Sequence, residues 1–242
     1  MTLFLASVRD AAEAETAIGA GADIVDLKDP AKGALGALAP DAIATCVRRV
    51  AGRVPVSATI GDKPLEGDSA RAALRMTAAL GVDYVKLGIF PGDGERDLRL
   101  LAADADDFRL ILVLFADALP AFDAIALAAR IGAHGVMFDT MGKRAGALPD
   151  RMSFMGLAGC IASAKAEGLI VGLAGSLEAK HVPSLVTLAP DLLGFRGALC
   201  QNGDRAGPLD PVRVAGVRAL IPRSPRVLRE MNLPDLAPQA LC

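Results

Sequence analysis

Charges stand in this 242-residue chain at places where buried strands ordinarily carry none. Asp26-Leu27-Lys28-Asp29-Pro30 ends one apolar run, and Tyr84-Val85-Lys86-Leu87-Gly88 carries a lysine inside another. Asp139-Thr140 ends a third, with Lys143 four residues after the carboxylate, and Asp117 ends a fourth. Side chains alternate along a strand, so Asp26 shares a face with Lys28, and Lys86 shares one with Tyr84 and Gly88. If Val25 and Leu27 pack against helices, Asp26 and Lys28 point the other way. Burying an unpaired ammonium or carboxylate costs several kcal/mol, so such charges persist only when paired or used. Clustered lysines disfavour one another's protonation, and partial burial pushes the same way from an ordinary pKa of about 10.4. A neutral amine attacks a carbonyl to form a Schiff base, while neighbouring ammonium groups hold phosphate and a carboxylate moves protons. That chemistry is class I aldolase-like. The plainer alternative is an ion-pair network of Asp26, Lys28, Lys86 and Asp139 closing the top of the core, with Lys32 and Lys63 as solvated loop residues.

Two further segments suit a phosphorylated substrate. Gly172-Leu173-Ala174-Gly175-Ser176-Leu177 leads from a strand into a helix, and Gly194-Phe195-Arg196-Gly197-Ala198 ends the last strand. Glycines let a phosphate approach backbone N–H groups, and an arginine supplies a fixed charge. Gly172, Gly175, Ser176, Arg196 and Gly197 are therefore the candidate phosphate ligands, against simple turn chemistry. His134 falls in a helix-to-strand turn and His181 inside a helical pattern. No histidine or carboxylate spacing suits a metal, and none is expected.

These residues need a scaffold that gathers strand ends at one place. Short β-rich runs occur at Thr2–Ala6, Asp23–Lys28, Pro55–Ile60, Asp83–Ile89, Arg109–Ala116, Gly135–Asp139, Leu169–Ala174 and Leu192–Gly197. Helical patterns alternate with them at Arg9–Gly19, Pro40–Val50, Ser69–Leu80, Asp97–Asp106, Leu119–Ile131, Arg151–Glu167, Leu177–Leu188 and Pro211–Leu220. Gly punctuates several helix-to-strand joints, as in AIGAGADIVDL and AALGVDYVKLG. Apolar strands in strict alternation with helices predict a parallel sheet covered on both faces, and eight units predict a single α/β domain, a closed (β/α)8 TIM barrel, over residues 1–221. An open doubly wound sheet is the alternative, but G-x-G-x-x-G is absent after the first strand. The four-proline segment 222–242 reads as a tail.

Composition bounds the partners. With 52% hydrophobic residues the chain has ample material for a core, and the formal net charge of −2 disfavours nucleic-acid binding through a basic field. The four cysteines lack zinc-like or C-x-x-C spacing, which predicts reduced thiols in a cytoplasmic protein. No signal peptide or membrane span is expected.

GADIVDLKDPAKGALGA, YVKLGIF, MFDTMGK, GLAGSL and LGFRGALC together resemble the (5-formylfuran-3-yl)methyl phosphate synthases over residues 1 to about 220. The resemblance implies a barrel enzyme of methanofuran biosynthesis and one-carbon metabolism. It would condense two molecules of glyceraldehyde 3-phosphate into 4-(hydroxymethyl)-2-furancarboxaldehyde phosphate, losing phosphate and water and using no cofactor. By the same resemblance Lys28 is the Schiff-base lysine with Asp26 beside it, and Lys86, Asp139 and Lys143 assist proton transfer and phosphate expulsion. A homo-oligomer is also expected. Two other classes compete: another class I aldolase-like phosphosugar barrel enzyme, and a non-catalytic barrel that binds a phosphorylated metabolite. A decarboxylase with D-x-K-x-x-D is demoted because Ala31 stands where the second aspartate belongs.

Overall fold

The computed structural model describes residues 1–66, 68–102, 108–142 and 146–222. Among them, eight parallel strands close into a barrel in chain order: β1 (Leu3–Val8), β2 (Ile24–Leu27), β3 (Val56–Thr59), β4 (Tyr84–Ile89), β5 (Arg109–Phe115), β6 (Gly135–Asp139), β7 (Ile170–Leu173) and β8 (Leu192–Phe195). Closure is made by β1 pairing with β8, Leu3 opposite Leu192 and Ala6 opposite Phe195. The helices between them are α1 (Ala11–Gly19), α2 (Pro40–Val50), α3 (Asp68–Ala79), α4 (Glu95–Ala102), α5 (Ala124–Arg130), α6 (Leu148–Arg151), α7 (Phe154–Ala166), α8 (Val182–Val186) and α9 (Pro211–Leu220). The expected α/β barrel is thus the fold. The tail assigned to residues 222–242 lies, but for its first residue, outside the described residues, as does Lys143.

Strand alternation divides the apolar side chains into two cores. Val25, Leu27, Val85, Leu87, Val136, Phe138, Val171 and Leu173 face outward and pack under the helices. Leu5, Ile24, Tyr84, Ile111, Val113, Met137 and Leu192 fill the barrel itself. The interior is therefore packed at its lower levels, and among the described residues the buried charges Asp26, Lys28, Lys86 and Asp139 lie above them.

The opposite end is held by a repeated device. Asp23 accepts the Phe4 N–H at 2.8 Å, Asp83 the Val56 N–H at 2.7 Å and Asp191 the Val171 N–H at 2.8 Å. Each aspartate enters one strand and clamps the start of the preceding one. The helices before β2 and β4 stop at Gly21 (φ 92°) and Gly81 (φ 82°), where the left-handed conformation reverses the chain without a Cβ penalty. His134 takes the corresponding place before β6, its ring tilted against that of Tyr84 at 5.3 Å at this lower end.

The structure corrects several boundaries. Leu177–Leu188 is not one helix: a 3-10 turn at Ala179–His181 precedes the short α8, because Pro183 suits a helix start and cannot donate to a preceding turn. The expected Arg151–Glu167 helix is broken at Ser153, whose Oγ accepts the Gly156 N–H at 3.1 Å and caps α7. Strand β1 runs to Val8 rather than ending at Ala6. No helix among the described residues is long and apolar enough to cross a membrane.

A Cβ on Gly135 would lie 2.5 Å from the Ile170 carbonyl oxygen, inside the β6–β7 seam. Gly135→Ala is expected to cost about 1–3 kcal/mol in urea unfolding. Gly159→Ala, in the middle of α7 with nothing within 4 Å of the new methyl, is expected to gain about 0.5–1 kcal/mol. Equal effects of the two substitutions would contradict this packing.

Candidate active site

Asp26 organises the barrel mouth. Parallel register sets Ser7 of β1 and Ser57 of β3 level with it on either side. All three side chains turn inward, so Ser7 Oγ donates to Asp26 Oδ2 at 2.8 Å and Ser57 Oγ donates to Oδ1 at 2.7 Å. Lys86, from β4, brings its ammonium to Asp26 Oδ1 at 2.5 Å. Asp26 is 1% exposed and Lys86 3%, so this is a buried and fully hydrogen-bonded ion pair.

Lys28 and Asp139 form a second pair above the first. Lys28, immediately after β2, points the same way as Asp26, and its Nζ lies 3.6 Å from Asp139 Oδ2. The other Asp139 oxygen accepts the Thr140 N–H at 2.7 Å, which fixes the carboxylate at the end of β6. The two lysines thus share one site, but each takes a different aspartate. Asp26 bonds to Lys86, not to its sequence neighbour Lys28.

The charges act on one another. Burial pushes the Asp26 carboxyl up, but the Lys86 and Lys28 charges and the hydrogen bonds from Lys86 and Ser57 more than offset it, leaving it below the ordinary carboxylate value. Burial pushes the Lys86 ammonium down. Asp26 opposes that and Lys28 reinforces it, so Lys86 sits below the ordinary lysine value.

These groups line a mouth cavity of about 870 Å³, shared by Lys28, Lys86, Asp26, Asp139 and the loops after β7 and β8. Gly175 and Ser176 line it too, with φ of 96° and 50° in succession. A Cβ on Gly175 would come within 2.9 Å of the Thr140 nitrogen, so only glycine fits between the β6 and β7 ends. Gly197 and Arg196 contribute from the end of β8. Gly172 does not reach this cavity: it lies lower in β7, where a Cβ would meet Leu192 Cδ1 at 2.7 Å and Met137 Cε at 2.9 Å, and its role there is packing.

Arg196 is committed to the protein. Its Nε donates to the Arg205 carbonyl at 2.9 Å, Nη1 to Glu13 Oε2 at 2.5 Å and the Ser7 carbonyl at 3.2 Å, and Nη2 to Glu13 Oε1 at 3.2 Å and the Gly207 carbonyl at 2.8 Å. Ser7, Ser57, Glu13 and Arg205 are residues that sequence reasoning missed. Ser7 lay just past the expected end of its strand, and the polar residue inside an apolar run was the available signal. Asp117 holds the loop after β6, accepting the Met141 N–H at 2.7 Å and the Gly142 N–H at 2.8 Å.

The free thiols stand apart from this chemistry. Burial pushes the Cys46 thiol up to about 11 and raises those of Cys160 and Cys200 as well, so none is activated. Among the described residues, no three His, Cys, Asp or Glu side chains are grouped to hold a metal ion.

Because Asp26 is held below its unfolded value, it contributes stability above about pH 4 that is lost as pH falls through its lowered native pKa. Asp26→Asn is therefore expected to flatten the fall in melting temperature below about pH 4. An acid limb as steep as that of the native chain would show that Asp26 holds no such stability.

Comparison with known proteins places the chain in a family. The family model described as 4-HFC-P synthase matches residues 4–218. A Methylorubrum extorquens protein named for (5-formylfuran-3-yl)methyl phosphate synthase activity is 43% identical over 222 residues, covering 92% of each chain. The (5-formylfuran-3-yl)methyl phosphate synthase of Methanothermobacter thermautotrophicus is 34% identical over 219 residues, covering 84% of this chain and 91% of its own. Among solved structures, phosphoribosyl anthranilate isomerase from Thermus thermophilus superposes with a TM-score of 0.64 at 16% identity, covering 91% of this chain and 98% of its own, a likeness of fold alone. The chain is an enzyme of the (5-formylfuran-3-yl)methyl phosphate synthase family.

Proposed function

We propose that the chain condenses two molecules of glyceraldehyde 3-phosphate into 4-(hydroxymethyl)-2-furancarboxaldehyde phosphate, in methanofuran biosynthesis, through an imine on Lys28. The observation that carries this reading is the Lys28–Asp139 contact of 3.6 Å, set in a large cavity above the buried Asp26–Lys86 pair.

Lys28 Nζ, as the free amine, attacks a triose carbonyl, and loss of water gives the imine. Asp139, next to that nitrogen, takes and returns protons as the carbinolamine forms and collapses and as the α-carbon is deprotonated to an enamine. Expulsion of phosphate from the enamine leaves an enol whose terminal carbon adds to the keto carbonyl of the second triose, which has isomerised from the aldehyde. Lys86, fixed by Asp26, supplies positive charge beneath the reacting atoms, where phosphate and two waters depart as the ring closes, and hydrolysis of the imine then releases the product aldehyde and returns the Lys28 amine. Lys143, four residues after Asp139 in the sequence, would add a further cation or acid. The backbone at Gly175, Ser176 and Gly197 forms the wall toward which a substrate phosphate would lie.

Incubation with glyceraldehyde 3-phosphate and borohydride is expected to add one reduced triose to Lys28, located by peptide mass spectrometry. Lys28→Ala and Lys28→Arg should each lower turnover by on the order of 10³-fold or more. Labelling confined to Lys143 would move the imine to that residue. Asp139→Asn is expected to slow turnover by roughly 10²–10⁴-fold with little change in KM, and near-native turnover would remove Asp139 from proton transfer. The substrate alone should yield an ultraviolet-absorbing aldehyde and inorganic phosphate. Reversible cleavage without the furan chromophore would indicate a simple aldolase instead.

A further inference from the structure

Resting on the triose phosphate reading, we infer that Arg205 is the residue that grips a substrate phosphate, and that Arg196 is a positioning residue that presents it. Arg196 looks like the phosphate ligand from sequence, since it directly follows β8. Its five N–H groups, however, are all spent on Glu13 and on the carbonyls of Ser7, Arg205 and Gly207. A guanidinium has five donors and no more, so Arg196 has none left for a ligand.

Arg205 is the reverse case. It is half-buried in the wall of the mouth cavity, and its guanidinium makes no hydrogen bond or ion pair with any side chain or carbonyl among the described residues. Burial disfavours its charge, the Asp139 and Asp62 carboxylates favour it and Arg196 opposes it, leaving it below the usual arginine range. A guanidinium stays protonated through such a shift, so it is a cation held partly out of water with no protein acceptor among the described residues.

Charge balance points the same way. Lining the inner cavity are the cations Lys28, Lys86 and Arg205 against the carboxylates Asp26 and Asp139, while Arg196 is neutralised by Glu13. The exposed rim carries Glu178, Asp204 and Arg213, with Glu178 already paired to Lys180 at 3.1 Å. Among the described residues lining the inner cavity the cations outnumber the carboxylates by one, and Arg205 sits on the same cavity wall system as Gly175, Ser176 and Gly197. A planar fork of N–H donors meets a phosphate monoester with two parallel hydrogen bonds, which suits Arg205 to a dianion rather than to a carbonyl.

The backbone that carries Arg205 is fixed before any ligand arrives. Arg196 binds the carbonyls of Arg205 and Gly207, one on each side of Ala206. Arg9 Nη1 donates to the Ala206 carbonyl at 2.5 Å, and Asp204 Oδ1 accepts the Ala206 N–H at 3.0 Å. Glu13, reaching across from α1, anchors Arg196 in turn. A rigid loop loses little freedom on binding, so the arginine's affinity is not spent on ordering its own backbone.

The test is calorimetric titration with glycerol 3-phosphate, which carries the phosphate but no carbonyl and so binds independently of imine chemistry. Arg205→Ala is expected to weaken binding roughly ten- to a hundredfold, Arg205→Gln to do the same, and Arg205→Lys to recover part of it, with melting temperatures close to that of the native chain. Arg196→Lys should weaken binding in the native background yet add nothing to Arg205→Ala, because it acts through Arg205. Native affinity in both Arg205→Ala and Arg205→Gln, additive losses in the double variant, or no binding to the native chain would each overturn the assignment. If Arg205 proves essential for glycerol 3-phosphate while glyceraldehyde 3-phosphate gives no furan, the phosphate grip stands and the condensation reading falls.

Discussion

A buried carboxylate facing a buried ammonium sets the terms for the rest of this molecule. Asp26 and Lys86 lie inside the barrel, where desolvating each charge is expensive, and the cost is offset only because the geometry is complete. Two serine hydroxyls from the flanking strands and the Lys86 ammonium satisfy the carboxylate. Hydrophobic side chains of similar volume would often serve stability as well or better. A fold that keeps the pair gains a fixed charge pattern beneath a cavity, and that pattern holds Lys28 and Asp139 in their own pairing one level higher. Lys28 has no access to Asp26 as its main partner, since Lys86 already occupies that carboxylate. Among the described residues it is left beside Asp139.

Much of this was legible in the sequence because strand alternation is local. Alternation along the strands places Asp26, Lys28 and Lys86 inside, and position at a strand end places Asp139 at the mouth. The alternation of strands and helices likewise carried the architecture, with Gly21 and Gly81 marking helix ends through their left-handed backbone. What was not legible depends on register and closure. Ser7 and Ser57 matter because parallel pairing sets them level with Asp26, a relation between strands that no single segment records. Glu13 reads as an acidic residue near a helix start, and only closure of β8 onto β1 brings Arg196 to it.

The arginines show the same limit from another side. Arg196 has the right residue type at the right strand end, yet its donors go to Glu13 and to loop carbonyls. Arg205 lies in a Gly- and Pro-containing segment without periodicity, where sequence patterns assign nothing. The loop becomes informative only once its backbone is seen to be clamped by Arg196 and Arg9. Residues that hold and residues that are held can exchange apparent roles when only their order in the chain is known. Among the described residues the mouth of this barrel carries two buried Lys–Asp pairs and one braced loop, each positioned by contacts between segments distant in sequence.

The most direct measurement of the central claim is a stability cycle on the buried pair. Lys86→Met strands a buried carboxylate and is expected to cost about 3–5 kcal/mol in urea unfolding. Adding Asp26→Leu should recover most of that loss while leaving the enzyme inactive. A cost below about 1 kcal/mol for Lys86→Met, which is the range of an exposed ion pair, or a double variant as unstable as the two single losses combined, would contradict the account.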